Sequence, residues 1–163
     1  MLLTLLNLAL AEPVQGFVDL HMHIAAHLAV PVYGRGPDAE PPERITNRHA
    51  LRPQIFTEHL ELPGPAIIVS LAYANPFFTA FETRSSMRRR IERQLHYVES
   101  WCDRHGERFG LARTPEEARA IVASGRTAIV HGIEGATKIL DGREDAMAWA
   151  SRGVAVVTPI HLA

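Results

Sequence analysis

Three short apolar runs lie along the chain with amphipathic segments between them, and the last two end on an ionisable residue. The runs are residues 66–73, "AIIVSLAY", residues 127–134, "TAIVHGIE", and residues 154–161, "VAVVTPIH". Continuous apolar runs of this length suit strands covered on both faces, as in a parallel sheet. Between the first two, Met87, Ile91, Leu95, Val98 and Cys102 recur at three- and four-residue steps from Ser85 to His105. That spacing predicts an amphipathic helix ending near Gly106. Its basic cluster, Arg88 to Arg90, reads as a solvated helix surface.

A second helix is announced by Thr114-Pro115-Glu116-Glu117: a cap, a proline at the first helical position and a glutamate that reaches back. It carries Ala118, Ile121 and Val122 inward and stops at Gly125. A third helix is expected over residues 144–151, ended by Gly153. Strands alternating with helices imply βα units and a parallel α/β fold.

An earlier strand fits the same scheme. In "FVDLHMH", residues 17–23, Val18, Leu20 and Met22 alternate with Asp19, His21 and His23. Residues two apart on an extended chain share a face, so the first three are expected against the outer helices and the two imidazoles in a common space. The segment "PVYGRGPDAEPPER" that follows, residues 31–44, is a loop by its glycines and prolines. Residues 45–62 are ambiguous and helical in part.

At 163 residues the chain has room for a single core. Seventeen Lys and Arg against 18 Asp and Glu give a net charge of -1 and no electrostatic case for nucleic acid or an acidic membrane surface. The lone Cys102 cannot form an intrachain disulfide. Residues 1–11, "MLLTLLNLALA", are apolar but shorter than the ~20 residues a membrane span takes. Ala9-Leu10-Ala11 matches a signal-peptide cleavage pattern, although the positive n-region is missing. Export is therefore the expectation, with a packed first element in a cytoplasmic protein as the alternative. No other segment reads as transmembrane.

Parallel α/β proteins gather their sites at the carboxyl ends of the strands, where His21 and His23, Glu134 and His161 fall. A His-x-His pair at a strand end can direct two nitrogens at one metal ion. A carboxylate can bridge two such ions. Each piece has a plainer explanation: chance for the pair, a helix cap for Glu134 beside Gly135, a satisfied histidine for His161. It is the set that points to function. His27, four residues past His23, is held as a residue supporting the ligands. His49, His59, His96, His105 and His131 earn no role, and His131 is expected on the opposite face of its strand from Glu134.

These residues carry a resemblance. "FVDLHMH", "TPEEARAIVASGR", "AIVHGIEGA" and "GVAVVTPIH" resemble, in order and spacing, the first half of the membrane dipeptidase (renal dipeptidase-like) family of the metal-dependent amidohydrolase superfamily. The resemblance covers about residue 16 to the end. It implies a partial (β/α)8 TIM barrel, its first half of about four βα units, spanning residues 12–163. It implies two zinc ions, with His21 and His23 as ligands of the first and Glu134 bridging both. It implies that His161 contacts the substrate's carbonyl or the tetrahedral intermediate, and that a metal-activated water attacks a peptide or related amide bond. The family has His-x-Asp where this chain has His-x-His, which shifts the site's charge by one unit and leaves metal preference open.

A complete barrel takes ~250 residues. The chain is accordingly expected to be a truncated half, lacking later ligands, with open edges prone to self-association. Two alternatives stand beside the hydrolase: a non-catalytic half barrel that self-associates or pairs with a partner chain, and a histidinol-phosphatase-like phosphoesterase. The latter needs mid-chain His and Asp clusters that are not seen between Tyr73 and Glu134.

Overall fold

In the computed structural model the described residues are 14–16, 18–25, 28, 66–73 and 82–160. The early loop (31–44), the ambiguous segment (45–62), the candidate leader (1–11), His27, His49, His59 and His161 lie outside them. No helix of the described residues is long and apolar enough to cross a membrane.

The elements run β1 (Val18–Met22), β2 (Ile67–Tyr73), α1 (Arg84–Arg104), β3 (Phe109–Ala112), α2 (Pro115–Ala123), β4 (Thr127–Glu134), a 3-10 turn (Ala136–Lys138), α3 (Arg143–Ser151) and β5 (Val154–Thr158). Every strand pairing is parallel, in the order β1-β2-β4-β3, with β5 also on β4. One edge of β4 lies along β2 from Ala128 to Glu134. Its other edge is shared: β3 takes Thr127 to Val130, and β5 takes His131 to Glu134. The architecture is α/β with a parallel sheet and helices between strands, that of a partial barrel. β3 was not expected. Four residues, "FGLA", are too few to show a period, and they lie beside the first half of β4.

The two faces of the sheet are packed differently. Ile68 and Ile129 meet Tyr97, Val98 and Trp101 of α1, and Ala72 and Ile133 meet Met87, Ile91 and Leu95 of α1 with Trp149 of α3. On the opposite face Ala118 and Ile121 of α2 cover Ala112, Ala128, Ile67 and Val130. Thus α2 covers the early part of β4 on that face, and Glu134 lies at its far end.

The apolar stripe of α1 (Met87, Ile91, Leu95, Val98, Cys102) is buried as its period requires, and Thr83 caps the helix by accepting from the Ser86 N–H at 3.2 Å. Thr114 accepts from the Glu117 N–H at 3.1 Å, while the Glu117 carboxylate reaches back to the Arg113 N–H at 2.6 Å. The basic cluster departs from expectation. Arg88 donates to Asp145 at 2.7 Å and lies over the Trp149 ring, Arg90 pairs with Glu82, and only Arg89 is exposed. Helical spacing turns Arg88 toward α3, where an aromatic ring and a carboxylate receive its stem and head.

β1 also departs from simple alternation. Val18 is opposite Ile67 and Asp19 opposite Ile68, but Met22 is opposite Ser70, so one extra residue bulges from β1. A shift of one residue exchanges faces. Met22 therefore packs with the α1 core, while Val18 and Leu20, expected there too, are 45% and 69% exposed.

Candidate metal centre

The bulge in β1 aims the two histidines. Met22 turns to the α1 face, and His21 and His23 turn to the face on which Glu134 lies. The Asp19 carboxylate steadies the irregular turn by accepting from the His21 N–H at 2.9 Å. Glu134 arrives from the last position of β4, opposite Tyr73 of β2 and Thr158 of β5. Two local devices hold that strand end. Gly132 sits where a Cβ would meet Leu71 Cδ2 at 2.6 Å and the Val156 carbonyl oxygen at 3.3 Å, so glycine leaves Leu71 its place beneath the site. Gly135, at φ 75°, turns the chain at once, and its N–H donates to the Thr158 carbonyl at 3.0 Å. Gly135 occupies the cap position of the 3-10 turn with no side-chain cap. Glu134 thus faces the histidines rather than capping the next element.

The result is a tight cluster. His21 Nε2 and His23 Nε2 are 3.1 Å apart, and Glu134 Oε2 lies 3.4 Å from the first and 3.2 Å from the second. His23 Nδ1 is 2.9 Å from the Leu71 carbonyl oxygen. A carbonyl only accepts, so Nδ1 carries the proton and a neutral His23 presents a lone pair at Nε2. Glu134 is 7% exposed, and the His21 side chain is 57% exposed, so the cluster is buried on one side and open on the other.

This donor set fits a divalent ion. Ligand atoms ~2.1 Å from a tetrahedral zinc stand ~3.4 Å from one another, which is the spacing found here. Two imidazoles and a carboxylate are ordinary zinc ligands, and a nearly buried carboxylate against two ring nitrogens gains a counterion when such an ion binds. Among the described residues these three are the His, Cys, Asp or Glu group that could hold a metal.

Tyr73 was missed in the sequence. Its ring lies 4.5 Å from that of His23, and burial followed by the nearby Glu134 charge pushes its phenol up from the ordinary value. The available signal was parity: Tyr73 shares a face with Val69 and Leu71 at a strand end. His131 falls on the opposite face from Glu134, as expected, fully buried with Nε2 3.6 Å from Glu99. His96 and His105 lie on or beside α1, away from the cluster.

No family model matches the chain, and no curated protein matches it. Solved structures do share its fold. Dipeptidase AC, a metallo peptidase of family M19, matches with a TM-score of 0.61 at 19% identity, over 91% of this chain and 43% of that one. A metallo peptidase from Rhodobacter sphaeroides, liganded with a phosphinate mimic of the dipeptide L-Ala-D-Ala, matches with a TM-score of 0.61 at 17% identity, over 89% of this chain and 45% of that one. The chain spans less than half the length of either structure, and what it shares with them is part of their fold.

Proposed function

We propose that this chain forms the first half of a zinc-dependent hydrolase of the dipeptidase type, acting on a small peptide or related amide. The observation that carries the reading is the convergence of His21 Nε2, His23 Nε2 and Glu134 Oε2 within 3.4 Å at the ends of β1 and β4. The matched fold, seen in one relative with a dipeptide mimic bound, supports the substrate class. His21 and His23 would hold the first ion, and Glu134, with two oxygens, would bridge it to a second. When bound, such ions polarise a carbonyl and lower the pKa of water. The chain's own part is to fix the imidazole tautomer of His23 through Leu71, to shield the Glu134 side of the site from solvent, and to hold the ligands without rearrangement. His161, three residues past Thr158, is assigned by sequence to the substrate carbonyl. Zinc bound per chain, measured beside hydrolysis of dipeptides with and without His21→Ala, tests the reading, and a chain that binds no zinc sinks it. Turnover that His21→Ala abolishes supports it, and turnover unchanged by that variant sinks it.

A second reading concerns assembly. Val18, Leu20, Val156, Val157 and Ile160 are the exposed large apolar residues of β1, β5 and the segment after β5. Such edges favour pairing with another strand, as a second half barrel would supply, with or without catalysis. Sedimentation of the wild-type chain against Leu20→Lys separates the cases. A concentration-dependent dimer lost in the variant supports pairing, and a monomer throughout contradicts it. For residues 1–11 we propose an export signal, which N-terminal sequencing of the protein recovered from its host would reveal as cleavage after Ala11.

A further inference from the structure

The helix stripe of α1 contains one polar intruder. Gln94 is fully buried among Ile91, Leu95 and Val98, and its amide pairs with both polar groups of Tyr73's backbone, with a longer bond of 3.4 Å from Nε2 to the Arg90 carbonyl. Gln94 Oε1 accepts from the Tyr73 N–H at 3.1 Å, and Gln94 Nε2 donates to the Tyr73 carbonyl at 2.7 Å. These are the two groups that a neighbouring strand would otherwise engage. β1 cannot reach them, because its ladder with β2 ends at Met22 opposite Ser70. A primary amide is the side chain that offers one acceptor and one donor at the spacing of a strand backbone.

The clamp lies directly behind the metal cluster. Tyr73 is opposite Glu134 in the β2–β4 ladder, and its ring packs on His23 at 4.5 Å. Two residues earlier, the Leu71 carbonyl accepts from His23 Nδ1 at 2.9 Å and sets which nitrogen faces the cluster. Without Gln94, the last residues of β2 would lose this hold, and the Leu71 and Tyr73 contacts to His23 would loosen. A leucine would fill the same volume, so packing alone does not account for an amide here. It would take away the bonds that Gln94 makes to the Tyr73 N–H and carbonyl.

We infer that Gln94 is a positioning residue for the metal site, acting through the Tyr73 peptide to fix the orientation and tautomer of His23. The inference rests on the metal reading above. Residues that orient ligands in this way typically change metal affinity 10–100-fold when replaced. The test is zinc titration of the metal-free full chain as wild type, Gln94→Met and Phe109→Leu, with nitrogen-15 NMR of the His23 ring in each. Phe109 is buried in the α1 core remote from Tyr73 and controls for simple loss of stability.

Gln94→Met is expected to weaken zinc binding by about 10–100-fold and to broaden or mix the His23 tautomer signals. Phe109→Leu should leave both unchanged at a similar loss of stability. If Gln94→Met does not fold, Gln94→Glu takes its place, keeping length and acceptor while losing the amide donor at neutral pH. Wild-type affinity together with a single His23 tautomer in the Gln94 variant would overturn the inference. A wild-type chain that binds no zinc would instead overturn the metal reading.

Discussion

Two histidine–carboxylate contacts lie on opposite faces of the same sheet and do opposite jobs. On the α1 face, His131 Nε2 stands 3.6 Å from Glu99, and Arg152 donates to that same carboxylate, with Arg113 at 3.8 Å. On the other face, Glu134 Oε2 stands 3.2 Å and 3.4 Å from two imidazoles. In the first, guanidinium groups neutralise the acid, and the cluster ties α1 to β4 and to Arg152 at the end of α3. In the second, another lone-pair donor takes the place of the arginine. Proximity of histidine and carboxylate is thus no sign of a metal site by itself. The sign is several lone pairs aimed at one point.

The comparison is broken most severely by removing the shared carboxylate. Glu134→Ala should lower zinc affinity by at least ~100-fold, about 2.7 kcal/mol, while the metal-free chain melts where the wild type does or slightly higher, because a buried carboxylate costs desolvation. Calorimetric titration and thermal melting read the two effects separately. Glu99→Ala should do the reverse. It strands His131 and leaves Arg152 with Glu92 alone, costs about 1–3 kcal/mol in urea unfolding, and leaves zinc affinity within about twofold of wild type, as expected of sites without shared partners.

The two faces should also part in acid. The His131 imidazole, then Arg152, hold the Glu99 carboxyl well below its ordinary value of 4.5. A carboxylate depressed in the folded state contributes stability that is complete above the unfolded value and is lost as pH falls below it. Metal-free stability should therefore decline steadily below about pH 4.5, and Glu99→Gln should flatten that decline; an equal slope in the variant would remove Glu99 from the account. Smallest of all, Arg89→Ala, on the exposed turn of α1, should change stability by less than about 0.5 kcal/mol. Arg88→Ala should cost more, since it loses Asp145 and the Trp149 ring.

Much of this was legible in the chain. Apolar runs gave β2 and β4, helical spacing gave α1, and Thr114-Pro115 gave the start of α2, because each signal is local. That His21, His23 and Glu134 come together was legible because strand parity and strand ends are local too. The bulge in β1 was not, since it arises from pairing with β2, and it left Val18 and Leu20 exposed. β3 was too short to show a period. Gln94 was hidden by its polarity, although positions 91, 94 and 98 lie on one stripe, and a polar residue inside such a stripe is itself a signal. Arg88 and Arg90 were misread as solvated because their partners come from Asp145, far along the chain, and from Glu82, just before the helix.

The account turns on which atoms surround the ion. X-ray absorption at the zinc edge of the stoichiometrically loaded full chain reads them directly. Two imidazole nitrogens with oxygen at ~2.0–2.1 Å are predicted. Cys102 should take no part, since burial pushes its thiol up to about 12. A sulfur shell at ~2.3 Å, or no more than one imidazole, would contradict the assignment of His21, His23 and Glu134.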